Sequence, residues 1–265
     1  MGRSRASLRT SILLFLTLTL SVLGLQAAHA AGGAYTALGD SYSSGVGSRT
    51  YYSDSGSCYR SPHAFPVLTA QRTATQLTFA ACSGARVADV LNNQLGSLNS
   101  STSYVTVSVG GNDAGFANVI TACARPWPYT CWNEIDNANA IITGTLPGRL
   151  DGLYTAIRTR APGAAVIVVG YPRLFNGKEC NLLARISPGE QTELNKTADL
   201  LASTISARAA AHGFAFVDPR QAFTGHTVCG SPEWVNGLSN PPIESYHPNQ
   251  TGQSAGYTPL VTSRM

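Results

Sequence analysis

Five short apolar runs recur along this chain, at residues 35–38, 76–80, 104–109, 165–169 and 214–217. Each is rich in β-branched or aromatic residues and is bounded by Gly, Pro or Ser, as buried parallel strands are. The stretches between them carry helical patterns. Leu194, Ala198, Leu201 and Ile205 repeat at helical spacing, and His212-Gly213 supplies a C-terminal stop. Ser61-Pro62 reads as an N-cap followed by proline in the first turn. Residues 133–159 are helical in pattern but interrupted at Pro147-Gly148. Strand alternating with helix predicts an α/β fold: a three-layer α/β/α sandwich around a five-stranded parallel sheet. No internal repeat or long linker divides it. The Ser/Gly-rich stretch 43–57 reads as a long loop able to shape a cleft.

The N-terminus reads differently. Arg3, Arg5 and Arg9 precede an apolar run over 11–25, and Ala28-His29-Ala30 has the small-x-small form of a cleavage site. We expect a signal peptide over 1–30, a single domain over 31–265, and a secreted product with no membrane insertion after cleavage. Removing the three arginines takes the basic count from 18 to 15, against 14 acidic residues. A balanced chain without basic runs gives no footprint for nucleic acid. Six cysteines in an exported chain predict disulfides, and their spacing lacks the pairs that a zinc site needs. Fifteen connectivities are open; sequential pairing, Cys58–Cys82, Cys123–Cys131 and Cys180–Cys229, is the simplest. No metal and no cofactor is expected.

Open α/β sheets bind ligands at the carboxyl ends of their strands. Three runs end there in polar clusters: Gly39-Asp40-Ser41, Ala81-Cys82-Ser83-Gly84-Ala85 and Gly110-Gly111-Asn112-Asp113. A serine on a tight turn after a strand holds its hydroxyl clear of the sheet. Acyl transfer also needs a base and donors for the developing oxyanion. The Ser41 and Gly84 N–H groups and the Asn112 carboxamide are candidate donors. Asp40 and Asp113 read as turn and cap residues rather than a carboxylate pair. Of the histidines, His63 and His212 fall at helix ends and His226 in a Gly-flanked loop. His247, in Ser245-Tyr246-His247-Pro248-Asn249, is fixed by a proline and a helix start.

These four blocks, Gly-Asp-Ser at 39–41, Gly84, Gly-x-Asn-Asp at 110–113 and His-Pro-Asn at 247–249, resemble the SGNH, or GDSL, hydrolases. The stretches 37–47 and 81–85 resemble secreted actinomycete GDSL lipases and esterases in particular. The resemblance implies a flavodoxin-like strand order 2-1-3-4-5, Ser41 as nucleophile, His247 as base, and Ser41, Gly84 and Asn112 as the oxyanion hole. Many members carry Asp three residues before the histidine; Glu244 stands there in this chain. Two alternatives follow: Glu244 as the acid, or the main-chain carbonyl of Ser245 as the group that orients His247. The second is preferred.

The expected function is hydrolysis of lipid or acyl esters through a serine acyl-enzyme by a monomeric, secreted lipase or esterase, with phospholipase activity within range. A carbohydrate O-acetylesterase is the alternative, for which Trp127, Trp132 and Trp234 would have to line an open groove. A non-catalytic secreted binding protein is the alternative of another class, and it predicts a lesion in one of the four blocks. None is present.

Overall fold

A computed structural model describes residues 1–2, 32–181 and 183–265. The expected signal segment thus lies, apart from its first two residues, outside the described residues. The elements run β1 (Gly32–Gly39), α1 (Ser41–Ser44), α2 (Phe65–Thr73), β2 (Thr75–Phe79), α3 (Val87–Asp89), β3 (Thr102–Ser108), α4 (Phe116–Cys123), α5 (Trp132–Gly144), α6 (Leu146–Arg160), β4 (Ala165–Val169), α7 (Pro188–Ala211), β5 (Ala215–Val217) and α8 (Thr258–Thr262). The strands form one parallel sheet in the order β2-β1-β3-β4-β5. All five apolar runs therefore became strands, in the order the family resemblance implies.

Side chains alternate across each strand, so β1 serves both faces of the sheet. Tyr35 and Ala37 pack with Ala70 of α2, and α8 lies against α2 on that side. Leu38 joins the larger core, with Val105 and Val107 of β3 and the buried faces of α5, α6 and α7. Thr145 breaks the helical stretch between α5 and α6, with Pro147 in the first turn of α6. Ser187 caps α7 through a reciprocal pair with Glu190, and His212 closes that helix. The disulfides are Cys58–Cys82, Cys123–Cys131 and Cys180–Cys229, which is the sequential scheme.

Three local expectations are corrected. Helix α2 begins at Phe65, not at Ser61-Pro62; the Ser61 hydroxyl instead accepts from His63 N–H and meets the Ser48 hydroxyl, building a turn before the helix. Asp113 does not cap the helix after β3. Its carboxylate accepts from Val87 N–H at the start of α3 and pairs with Arg149 of α6. The stretch 43–57 does not line the cleft that opens from Ser41. Residues 43–48 are buried, and Gly47 lies so close to His247 that a Cβ there would clash with it. Gly47 thus serves as backing for the histidine.

Candidate active site

The first strand stops where a side chain has no room. Gly39 sits at φ 124°, and a Cβ there would run into the Ser108 carbonyl of β3, so only glycine passes this point. Gln94 pins it from both sides: Gly39 N–H donates to Oε1 at 2.7 Å, and Nε2 donates back to the Gly39 carbonyl at 2.8 Å. Asp40 then caps α1 by accepting from Tyr42 N–H at 3.0 Å, and takes the Tyr171 hydroxyl on its other oxygen at 2.6 Å. The carboxyl is almost wholly buried, and burial pushes it up to about 7, against the pull of the Tyr171 and Tyr42 hydrogen bonds. Ser41 follows as the first residue of α1, held by this turn at the end of β1.

A second loop brings the histidine to it. His247 Nε2 lies 2.8 Å from Ser41 Oγ, and Nδ1 lies 2.9 Å from the Ser245 carbonyl. A carbonyl only accepts, so Nδ1 carries the proton and Nε2 is left as the acceptor for the serine hydroxyl. Between them Tyr246 adopts φ 59°, in the left-handed region. Such a conformation costs about 1–3 kcal/mol and persists only where neighbours impose it. Here Tyr246 N–H donates to the Asn236 carbonyl at 2.9 Å, and the Tyr42 hydroxyl donates to the Tyr246 carbonyl at 2.8 Å. Asn236 N–H also donates to the His247 carbonyl at 2.9 Å, and its side chain donates to the Gly47 carbonyl at 2.9 Å. Burial pushes the imidazole down to about 4, partly opposed by its bond to Ser245.

Glu244, the alternative acid, does not reach the histidine. Its carboxylate is buried, with Oε1 accepting from the Tyr51 hydroxyl at 2.7 Å and Oε2 lying 3.7 Å from Arg49 Nε. The extra methylene and the short helical turn Pro242–Glu244 direct it away from the imidazole, toward the 49–51 segment.

The loops after β2 and β3 flank Ser41, because β1 lies between those two strands. Gly84 sits at φ 78°, and its loop is tied down by the Cys58–Cys82 bridge and by Ser83 N–H donating to the Cys58 carbonyl at 3.1 Å. One N–H of the Asn112 carboxamide is spent on the Ala85 carbonyl at 3.1 Å, which fixes the amide and leaves its second N–H. That bond also joins the Asn112 loop to the residue beside Gly84.

From Ser41 and Asn112 a narrow cleft, partly open to solvent, extends between α4, α5 and α7. Its walls are apolar: Phe116, Val119 and Ile120 of α4, Ile142 of α5, and Leu194 and Leu201 of α7. Trp127, Trp132 and Trp234 do not line it. Trp234 instead stacks on His226, with ring centroids 3.8 Å apart. His212 pairs with Asp151 at 3.0 Å. Among the described residues, Cys123, Cys131 and Glu190 come together as metal ligands might. Both sulfurs are consumed by the disulfide, so neither is a thiolate.

Sequence reasoning missed Tyr171, Gln94 and Asn236. Tyr171 had a signal, since Gly170-Tyr171-Pro172 is the polar end of the fourth strand. Gln94 and Asn236 had none, as each acts only through long-range contacts.

The sheet order is that of an α/β hydrolase, and the site places a histidine against a serine hydroxyl. The chain belongs to the GDSL-like lipase/acylhydrolase family, whose model matches residues 37–255. It is similar to lipase 1 of Streptomyces coelicolor, 47% identical over 247 residues that cover 92% of this chain and 91% of the relative. The crystal structure of phospholipase A1 from Streptomyces albidoflavus NA297 matches it with a TM-score of 0.84 and 48% identity, over 89% of this chain and 100% of that one. That of the extracellular lipase from Streptomyces rimosus matches with a TM-score of 0.83 and 44% identity, over 88% and 100%. The chain is therefore an ester hydrolase.

Proposed function

We propose that this enzyme is an exported, monomeric lipid-ester hydrolase in which Ser41 and His247 act as a dyad oriented by the Ser245 carbonyl. The observation that carries the reading is the 2.8 Å contact between His247 Nε2 and Ser41 Oγ at the mouth of an apolar chamber. Ser41 Oγ attacks the ester carbonyl carbon while Nε2 takes its proton. The carbonyl oxygen, now negative, receives hydrogen bonds from the Ser41 and Gly84 N–H groups and the free N–H of Asn112. The tetrahedral intermediate collapses, the imidazolium gives its proton to the departing alcohol, and the acyl group stays on Ser41. Water then repeats the sequence, with Nε2 taking its proton and Ser41 Oγ leaving.

The chamber supports lipid over sugar esters. An acetyl group needs no aliphatic tunnel, whereas each methylene buried there adds about 0.8 kcal/mol of driving force. The tryptophans that a sugar platform would need lie elsewhere. Phospholipids come within range because a relative of similar fold is a phospholipase A1. Export is supported by the basic and apolar segments at the N-terminus and by the extracellular relative from S. rimosus. Among the described residues no helix is long and apolar enough to cross a membrane.

A chain-length series of p-nitrophenyl esters tests the substrate, with Ser41→Ala as the test of the nucleophile. We expect medium or long acyl chains to be preferred, and Ser41→Ala to abolish turnover with the fold intact. Cleavage of acetate alone would hand the substrate to the carbohydrate-esterase reading. Full activity in Ser41→Ala would overturn the dyad.

A further inference from the structure

Among the described residues, the most exposed aromatic side chain lies outside the lining of the chamber. Trp127 has 91% of its surface accessible and Tyr129 59%, both on the 124–131 loop between α4 and α5. A tryptophan left that bare in water is costly unless something covers it. The Cys123–Cys131 bridge closes the loop at its base, so its tip has a defined shape rather than being a loose connection.

The place of this tip follows from the helices that carry it. α5 and α7 wall the chamber, through Ala138 and Ile142 on one and Leu194 and Leu201 on the other. Their N-terminal ends meet at the base of this loop: Trp132 reaches the position of Gly189, and Cys131 Sγ lies 3.4 Å from Glu190 Oε1. The opposite part of α7 is anchored to the sheet, where Ile205 packs beside Gly110 at the end of β3. Gly189 at the loop base lies sixteen positions along α7 from Ile205, so this end of the helix projects up to roughly 24 Å past the strand ends at 1.5 Å per residue, and the tip extends from that base. It stands on the same side as Ser41, and only about two helical turns past the outermost chamber-lining residues of α5 and α7. Leu183, 87% exposed, projects from the neighbouring segment that leads from the chamber wall into α7.

The chemistry of the tip selects its partner. Trp and Tyr rings settle at the headgroup level of lipid layers, where an apolar body and a polar edge are both satisfied. The charges nearby almost cancel: Arg125 pairs with Glu134 at 3.4 Å and lies over the Tyr129 ring, while Lys178, Glu179 and Arg185 leave a small excess. A polybasic patch for an anionic surface is missing from these segments. We propose that the stapled loop 124–131, led by Trp127 and Tyr129, docks the enzyme on a zwitterionic phospholipid surface, with the mouth of the acyl chamber turned toward that surface. The inference rests on the lipid-ester reading of the site and adds to it the face through which an aggregated substrate is met.

Vesicles of dialkyl-ether phosphatidylcholine, which contain no ester to cleave, test this with the intact mature enzyme in a sedimentation assay. The wild type is expected to bind them equally well at low and high salt. The double variant Trp127→Ser/Tyr129→Ser is expected to bind about tenfold more weakly or worse. Its hydrolysis of diacyl phosphatidylcholine vesicles should fall by a similar factor, while soluble p-nitrophenyl butyrate is cleaved within about twofold of wild type. Equal binding by wild type and variant would overturn the proposal, and so would binding that requires anionic lipid and vanishes in salt. Cleavage of dispersed lipid monomers by an enzyme that ignores vesicles would remove the docking face and leave the lipid-ester reading standing. Vesicle binding without cleavage of any lipid ester would do the reverse.

Discussion

Nδ1 of His247 lies 2.9 Å from the main-chain oxygen of Ser245, two residues back along the same loop. The group that orients the imidazole is thus neutral and belongs to the backbone. A carbonyl fixes tautomer and ring plane, as a buried carboxylate does, but offers the imidazolium less charge stabilisation. Its position depends on the loop conformation, so the left-handed Tyr246 and its partners Asn236 and Tyr42 take over the role that a third side chain fills elsewhere.

The nearby carboxylate, Glu244, is expected to matter for stability rather than for chemistry. Glu244→Gln keeps an acceptor for the Tyr51 hydroxyl and should leave kcat within about tenfold of wild type, or 1.4 kcal/mol of barrier. Glu244→Ala strands that hydroxyl and should cost about 1–3 kcal/mol of stability, read from urea melts. Ser245→Ala should be mild, because only its backbone is used. A loss of kcat beyond a thousandfold in Glu244→Gln, with the melt unchanged, would make the glutamate the catalytic acid after all.

The pH profile follows from the half-buried imidazole. In the proposed dyad His247 must be neutral to accept the Ser41 proton, and burial pushes it down to about 4 from the usual 6.5. Activity on a neutral ester should therefore persist below pH 6 and fall only as pH drops toward about 4, well under the ordinary histidine range. Stability changes in the same direction. The unfolded chain binds the proton more readily than the folded one, so this histidine's contribution is full above 6.5 and is lost as pH falls toward 4. A kcat/KM profile with its acidic midpoint at or above 6.5 would contradict the assigned environment.

What the sequence made legible was whatever local chemistry decides. β-branched runs marked the strands, and the four blocks marked Ser41, Gly84, Asn112 and His247, because each sits where a strand end or a proline restricts the backbone. The errors arose where a polar side chain had several places to go. Asp113 was read as a cap for its own helix, yet it serves α3 and Arg149, which sequence distance hides. The 43–57 stretch has the composition of a surface loop, but its first six residues are buried, and Gly47 is glycine where the histidine loop packs on it. Gln94 holds Gly39 from 55 residues away, a relationship that no local pattern encodes.

The bridge beside Gly84 gives a prediction that couples stability to catalysis. Cys58 and Cys82 are 24 residues apart, so in the chain-entropy model their bond restricts the unfolded state by about 3 kcal/mol. The double variant Cys58→Ser/Cys82→Ser should lose stability on that scale. Its kcat should fall more than its KM rises, since the loop holding the Gly84 donor is loosened while the chamber is untouched. Breaking Cys180–Cys229 serves as the control, being far in sequence from every proposed donor, and should lower stability with kcat little changed. Equal effects on kcat from both bridges would remove the link to the oxyanion loop.

Chamber depth gives the sharpest test of substrate class. Ala198 of α7 lines the cleft between Leu194 and Leu201, one helical turn from each. Replacing it with Phe fills part of the space an acyl tail would occupy while leaving Ser41, His247 and the donors in place. Each methylene kept in water forfeits about 0.8 kcal/mol, so excluding two costs about 1.6 kcal/mol, or roughly fifteenfold in kcat/KM. Ala198→Phe should impose that loss on long-chain p-nitrophenyl esters and leave acetate within about twofold. Ala198→Ser, which barely changes volume, should not shift the preferred length. If the Phe variant lowers acetate and long-chain hydrolysis by the same factor, the tail does not lie along α7, and the chamber is not the acyl site.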